Sequence, residues 1–162
     1  MPIKGLTDTV IPAFPRLCKV RKGGQMPDDK TPGPDLKYFR LTSDRPEVQA
    51  TLDQVYGAQP ALLHVYLPYA DLDRNFATWQ EAWSAGGMQH RCDGQTMNIW
   101  LQGGKYERGA KPCPGGCKPV GRLTMILPEL WQNGHVGYAT LETHSLNDII
   151  SIQASLMATL DA

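Results

Sequence analysis

Lys111-Pro112-Cys113-Pro114-Gly115-Gly116-Cys117-Lys118-Pro119-Val120-Gly121-Arg122-Leu123 is the stretch on which the reading of this chain turns, together with Arg91-Cys92-Asp93-Gly94 upstream of it. Asp93-Gly94 is a strong two-residue turn signal. It predicts a hairpin of strands Met88–Cys92 and Met97–Leu101. Cys113-Pro114-Gly115-Gly116-Cys117 is a knuckle whose glycines permit the tight backbone that aims two sulfurs at one point. Val120–Leu127 follows as a strand that is apolar on both faces. A loop rich in Gly, Lys and Pro is expected over residues 102–117.

Working outward, the same pattern of strands and helices continues on both sides. Leu36–Thr42, short and aromatic, reads as a strand. A helix is expected from Arg45-Pro46 to Gly57, capped by Ser43 or Asp44, with Val48, Leu52 and Val55 inward. Ala61–Leu67 is a compact apolar run and reads as another strand. Asp71 is expected to cap a second helix reaching about Ala85, with Phe76, Trp79, Ala82 and Trp83 on one buried face. Val136–Glu142 is expected as a strand. Ser145 or Asn147 should open a last helix with Ile149, Ile150, Ile152, Leu156 and Leu160 inward. His64 reads as a core histidine, and Trp131 falls in an expected loop.

These elements predict an α+β domain with a mostly antiparallel sheet covered by helices, compatible with a ferredoxin- or RRM-like arrangement. The 162 residues are read as one domain. Residues 1–37 form an irregular basic arm rich in Pro and Gly, and residues 38–162 form the core with the knuckle loop at 102–117.

Composition narrows the function. Sixteen basic and sixteen acidic residues cancel, so bulk charge does not grip nucleic acid. Contact with nucleic acid must come from local clusters. No apolar run approaches the roughly 18 residues a membrane helix needs, and Met1-Pro2-Ile3-Lys4-Gly5 is not a signal peptide. A cytoplasmic location without membrane association is expected, where thiols stay reduced. Spaced cysteines in that setting read as metal ligands.

Cys92, Cys113 and Cys117 with His90, two residues before Cys92 on the same strand face, make a Cys3His set suited to a structural zinc ion. Cys18 is the alternative fourth ligand. No Ser-His-Asp arrangement, His-Glu-x-x-His, P-loop or Gly-x-Ser-x-Gly is present. Enzymatic activity is therefore not expected, and a metal-dependent hydrolase is disfavoured. Cations cluster in three places: Arg16, Lys19, Arg21 and Lys22 on the arm, Tyr38 with Arg40 on the first strand, and Lys105, Arg108, Lys111, Lys118 and Arg122 around the knuckle. Each reads either as solvated surface or as a nucleic-acid contact.

The chain resembles the recombination directionality factor-like proteins of serine-integrase phages. The pieces that carry the resemblance occur in order: Pro2–Asp8, Arg21-Lys22-Gly23, Gly33–Arg40, Arg91–Gly94, Cys113, Cys117–Leu123, Leu127–Leu130 and Thr143–Ile149. Relatives in that family are often labelled metal-binding. The resemblance implies a non-enzymatic accessory protein that binds an integrase on DNA and switches it from integration to excision. A second expectation is an RNA-binding backbone subunit of a CRISPR-type ribonucleoprotein effector complex, with other subunits or copies of itself as partners.

Overall fold

The computed structural model describes residues 13–25 and 32–161. Residues 1–12 of the arm, with the Pro2–Asp8 piece, and residues 26–31 lie outside the described residues. The rest of the arm is not irregular: it forms β1 (Arg16–Gln25) and most of β2 (Pro32–Thr42). Then come α1 (Pro46–Tyr56), α2 (Leu72–Asn75), β3 (Phe76–Ser84), β4 (Gly87–Cys92), β5 (Thr96–Gln102), β6 (Lys105–Pro112), β7 (Lys118–Met125), α3 (Pro128–Gln132), β8 (Tyr138–Thr143) and α4 (Leu146–Leu160). The expected class holds: strands pair antiparallel, β1 with β2, β3 with β4 and β7, and β5 with β4 and β6.

The chain divides into two compact units. The first holds β1, β2, α1 and α3. Pro46 opens α1 where its missing N–H costs nothing, and Gly57 closes it at φ 72°. Neither Ser43 nor Asp44 caps it, contrary to expectation; Arg45 holds the cap position without a side-chain bond. Ser43 is engaged elsewhere, its hydroxyl donating to the Leu17 carbonyl at 2.6 Å. Val48 and Leu52 of α1 and Leu130 of α3 are each 1% exposed and, with Leu17 and Val20 of β1, supply this unit's core. Tyr56 donates to Glu129 at 2.6 Å, tying α1 to α3. Trp131 is not on a loop. It lies on α3, donates to the Gly137 carbonyl at 2.7 Å and meets Phe14 edge-on.

Ala61–Leu67 is not a strand. Leu62 is 72% and Tyr66 65% exposed, and His64 is exposed rather than in a core. Prolines at 60 and 68 bracket the run, and among the described residues it pairs only through a single bridge at Tyr66.

The second unit holds the strand order β8-β7-β3-β4-β5-β6, with β3 to β6 a run of consecutive hairpins. Asp71 caps a helix as expected, accepting from the Asp73 amide at 2.9 Å, but that helix ends at Asn75. The fully buried Asn75 side chain bonds both the amide and the carbonyl of Tyr69 and pins the turn. Phe76–Ser84 is then a strand, not the rest of a helix. It pairs with β7 on one side and β4 on the other, so two ladders of hydrogen bonds override the apparent helical spacing. Trp83, read as core, is 59% exposed.

The expected loop at 102–117 contains β6. Gly103 and Gly104, at φ 59° and 78°, make the turn that folds it back on β5, the conformation of the favoured two-residue hairpin. Gly121 on β7 is required for space: a Cβ there would stand 2.6 Å from the Phe76 ring. Ser145 caps α4 by accepting from the Asp148 amide. Leu156 is buried on α4, but Ile150 is 65% exposed, contrary to expectation.

Candidate metal centre

The hairpin β4–β5 and the knuckle converge on one point of the second unit. Cys92 ends β4 and is 1% exposed. The Gly94 amide donates to its sulfur at 3.4 Å. The knuckle repeats that turn, with the Gly115 amide donating to the Cys113 sulfur at 3.5 Å. Gly115 and Gly116, at φ 94° and 76°, take a left-handed backbone that other residues rarely adopt. Two Cys-x-Gly turns therefore present their sulfurs in the same manner. The chain shows this repeat as Cys92-Asp93-Gly94 and Cys113-Pro114-Gly115, a signal that reading Cys113-x-x-x-Cys117 alone passes over.

The sulfurs meet in pairs. Cys117 lies 3.5 Å from Cys92 and 3.5 Å from Cys113. A disulfide would bring two sulfurs to about 2.05 Å. Two sulfurs bound at about 2.3 Å to one tetrahedral zinc ion stand about 3.8 Å apart. The observed spacing is therefore that of co-ligands rather than of a bond. The ligand atoms of His90, Cys113 and Cys117 all lie within 4.8 Å of one another. His90 Nε2 is buried and has no hydrogen-bond partner among the described residues. A buried ring nitrogen without a partner carries a desolvation penalty that a bound cation removes.

The thiols behave as a crowded acid group. Burial, then hydrogen bonds from and charge on its two neighbours, pushes Cys117 up to about 12. Cys113 shifts down, led by the Gly115 amide and then by its contact with Cys92. Touching sulfurs cannot all ionise against one another, and a divalent cation lifts that restriction. Cys92, Cys113, Cys117 and His90 can thus hold a metal ion, as the spacing predicted. Cys18 is not needed for it. It lies on β1 in the first unit, where burial pushes its thiol up to about 11.

On the other side of the β3–β4 pairing is a second polar cluster that sequence reasoning missed. Glu81 pairs with Arg91 across the ladder, while Ala82 pairs with His90, so alternation sends Glu81 and His90 to opposite faces. The Glu81 side chain is 1% exposed. It accepts from Arg91 at 2.7 Å, from both terminal nitrogens of Arg122 at 2.7 and 2.8 Å, and from the Trp83 indole at 3.0 Å. Arg122 also donates to Glu142 at 2.8 Å. Burial pushes the Glu81 carboxyl up. The bonds from Arg122, Trp83 and Arg91, with the Arg122 charge, outweigh it and hold the group at about 2.

The sequence-predicted cations separate accordingly. Arg122 is engaged by two carboxylates. Arg40 donates to the Gly23 carbonyl at 2.6 Å. Lys105, Arg108 and Lys111 stand on the exposed strand β6, with Lys111 4.5 Å from the Trp100 ring centre, and Lys118 is exposed at the start of β7. Arg16 and Arg21 are exposed on β1, and Lys19, Lys22 and Tyr38 are half-buried. No helix of the described residues is long and apolar enough to cross a membrane.

The second unit thus carries a thiol–imidazole cluster able to hold a metal ion at a hairpin end, with an ion cluster on the opposite face of the β3–β4 pairing. A family model described as Gp3-like, recombination directionality factor-like, matches residues 17–162, nearly the whole chain, and the protein belongs to that family. No curated protein and no solved structure matches it.

Proposed function

We propose that this protein is a phage recombination accessory factor that redirects a serine integrase on DNA by contact, not catalysis, and carries zinc as a structural ion. The family match across residues 17–162 supports the recombination role. The metal half is carried by one cluster: ligand atoms of His90, Cys113 and Cys117 within 4.8 Å of one another, the Cys92 sulfur 3.5 Å from that of Cys117, and the His90 Nε2 buried without a hydrogen-bond partner among the described residues. Three sulfurs and one imidazole are the donor set of closed, structural zinc sites, which leave no open position for substrate. A reducing cell interior suits such a site.

DNA contact, in this reading, falls to exposed cations: Lys105, Arg108, Lys111 and Lys118 beside the metal centre, and Arg16, Lys19 and Arg21 on β1. Arg122 is left out because Glu81 and Glu142 engage its guanidinium, and Arg40 because its Nε is held by the Gly23 carbonyl. With no net charge, the protein should bind bare DNA weakly at physiological salt and depend on the integrase for its place there.

The test adds the purified protein to a serine integrase with its paired recombination sites. Excision should rise, integration should fall, and the integrase–DNA complex should shift in a native gel. Unchanged products and an unshifted complex would refute the reading. Purification from the native host bound to RNA of defined length would favour the ribonucleoprotein subunit instead.

A further inference from the structure

We propose that the cleft between β1 and the start of α1, in the first unit, is a binding site for a phosphate group. The cleft measures about 260 Å³ and is lined by Arg16, Lys19, Arg21 and Arg45, with Asp44 as its one carboxylate. Among the described residues none of these four cations is in an ion pair. They contrast with Arg91 and Arg122, whose guanidinium groups are held by Glu81. Four like charges around one hollow repel each other, and an anion seated between them removes that repulsion.

The shape selects the ligand class. At about 260 Å³ the cleft is somewhat smaller than the roughly 300–1,000 Å³ of pockets for drug-sized ligands. A carboxylate is satisfied by one bidentate arginine. A phosphate offers more oxygens around one centre and can engage several of the four cations that line the cleft.

The backbone assists. Lys19 pairs with Thr42 where β1 meets the end of β2, which brings the β1 cations to the chain leading into α1. Ser43 fixes that chain, donating to the Leu17 carbonyl at 2.6 Å and accepting from the Arg45 amide at 3.2 Å. Arg45 is thereby held at the cleft while its side chain stays exposed. No side chain caps α1, so its first amides add positive potential at the same end.

The phosphate is either part of a nucleic-acid strand or free; the strand source rests on the DNA-contact reading above, the site itself does not. The full-length protein, isotope-labelled for amide NMR, is titrated with inorganic phosphate at constant ionic strength. Shifts should concentrate at residues 16–21 and 42–48. Lys19→Gln with Arg45→Gln should weaken phosphate binding about tenfold or more, and Arg74→Gln, on α2 of the second unit, should not. Lys19 is half-buried and Arg45 exposed, and a melting curve confirms that the variant folds. Shifts scattered over all surface cations, or unchanged phosphate affinity in the double variant, overturn the site.

A second arm titrates a single-stranded DNA oligonucleotide against salt. A flatter salt dependence in the double variant, by about 0.7 for each phosphate no longer neutralised, assigns the phosphate to a strand. Phosphate binding abolished with an unchanged DNA slope assigns the site to free phosphate and removes the strand source. Absence of DNA binding by the unsubstituted protein counts against the DNA-contact reading and leaves the phosphate titration to decide the site.

Discussion

The thiol–imidazole centre and the Glu81 cluster share strand β4, and they differ in one respect that separates their roles. Around Glu81 every charge has an answer within the chain: two arginines, an indole and, for Arg122, a second carboxylate. Around Cys117 the sulfurs meet one another and two backbone amides but no cation, and the buried His90 Nε2 has no hydrogen-bond partner among the described residues. A self-sufficient ion cluster is scaffold. A cluster of donors left incomplete by the fold is shaped for something the chain does not supply. Burial and charge count alone would have ranked Glu81 first, since perturbed carboxylates so often mark active sites. Counting satisfied bonds reverses that order.

The sharpest way to break the comparison is to remove the metal. The purified protein should contain one zinc per chain, and Cys113→Ser or Cys117→Ser should abolish it and cost roughly 5 kcal/mol or more in stability. Elemental analysis and chemical denaturation decide this; a metal-free protein whose mutants melt normally would end the zinc assignment. Glu81→Gln should come next, at about 3 kcal/mol, because it takes the charge partner from Arg91 and leaves Arg122 with Glu142 alone. Zinc content should stay at one per chain, so a variant that also lost its metal would show that the two clusters are one.

Acid should act on the Glu81 cluster in a defined window. The folded carboxyl titrates at about 2 against an ordinary 4.5. The folded value is the lower one, so the stabilisation is present in full above pH 4.5 and is lost as pH falls toward 2. The amount is about 3 kcal/mol. Denaturation midpoints between those pH values should fall more steeply for the native protein than for Glu81→Gln. Gly121→Ala should cost about 2 kcal/mol, because the new methyl meets the Phe76 ring. Ser145→Ala, which removes the α4 cap, should cost about 1 kcal/mol. Both are read by thermal melting, and neither should release metal.

The metal centre was legible because its information is local. A Cys-Pro-Gly-Gly-Cys knuckle, an Asp93-Gly94 hairpin and a histidine two residues before a cysteine each declare themselves within a few positions. The helices were legible where punctuation was strong, at Pro46, Gly57 and Ser145. The ion cluster was not, because Arg91 and Arg122 lie 10 and 41 residues from Glu81. Strand β3 was misread for a related reason. Phe76, Trp79, Ala82 and Trp83 carry a helical spacing, and the strand state is imposed by β4 and β7 from either side, with a buried glutamate where a half-buried strand would show an apolar residue. Strand β6 shows no apolar alternation because all eight of its residues are exposed. Only Gly103-Gly104 announces it.

That exposed strand has a further consequence. β6 stands at the end of the strand order, so one of its backbone edges has no partner strand among the described residues. An open edge invites a second copy to add its own strand and extend the sheet without limit. The protein as a whole carries no net charge to keep copies apart in solution. Lys105, Arg108 and Lys111 gather like charge along that one edge. Whatever else they contact, they act as a colloidal guard, making the place where this chain would begin to aggregate the place where it repels itself.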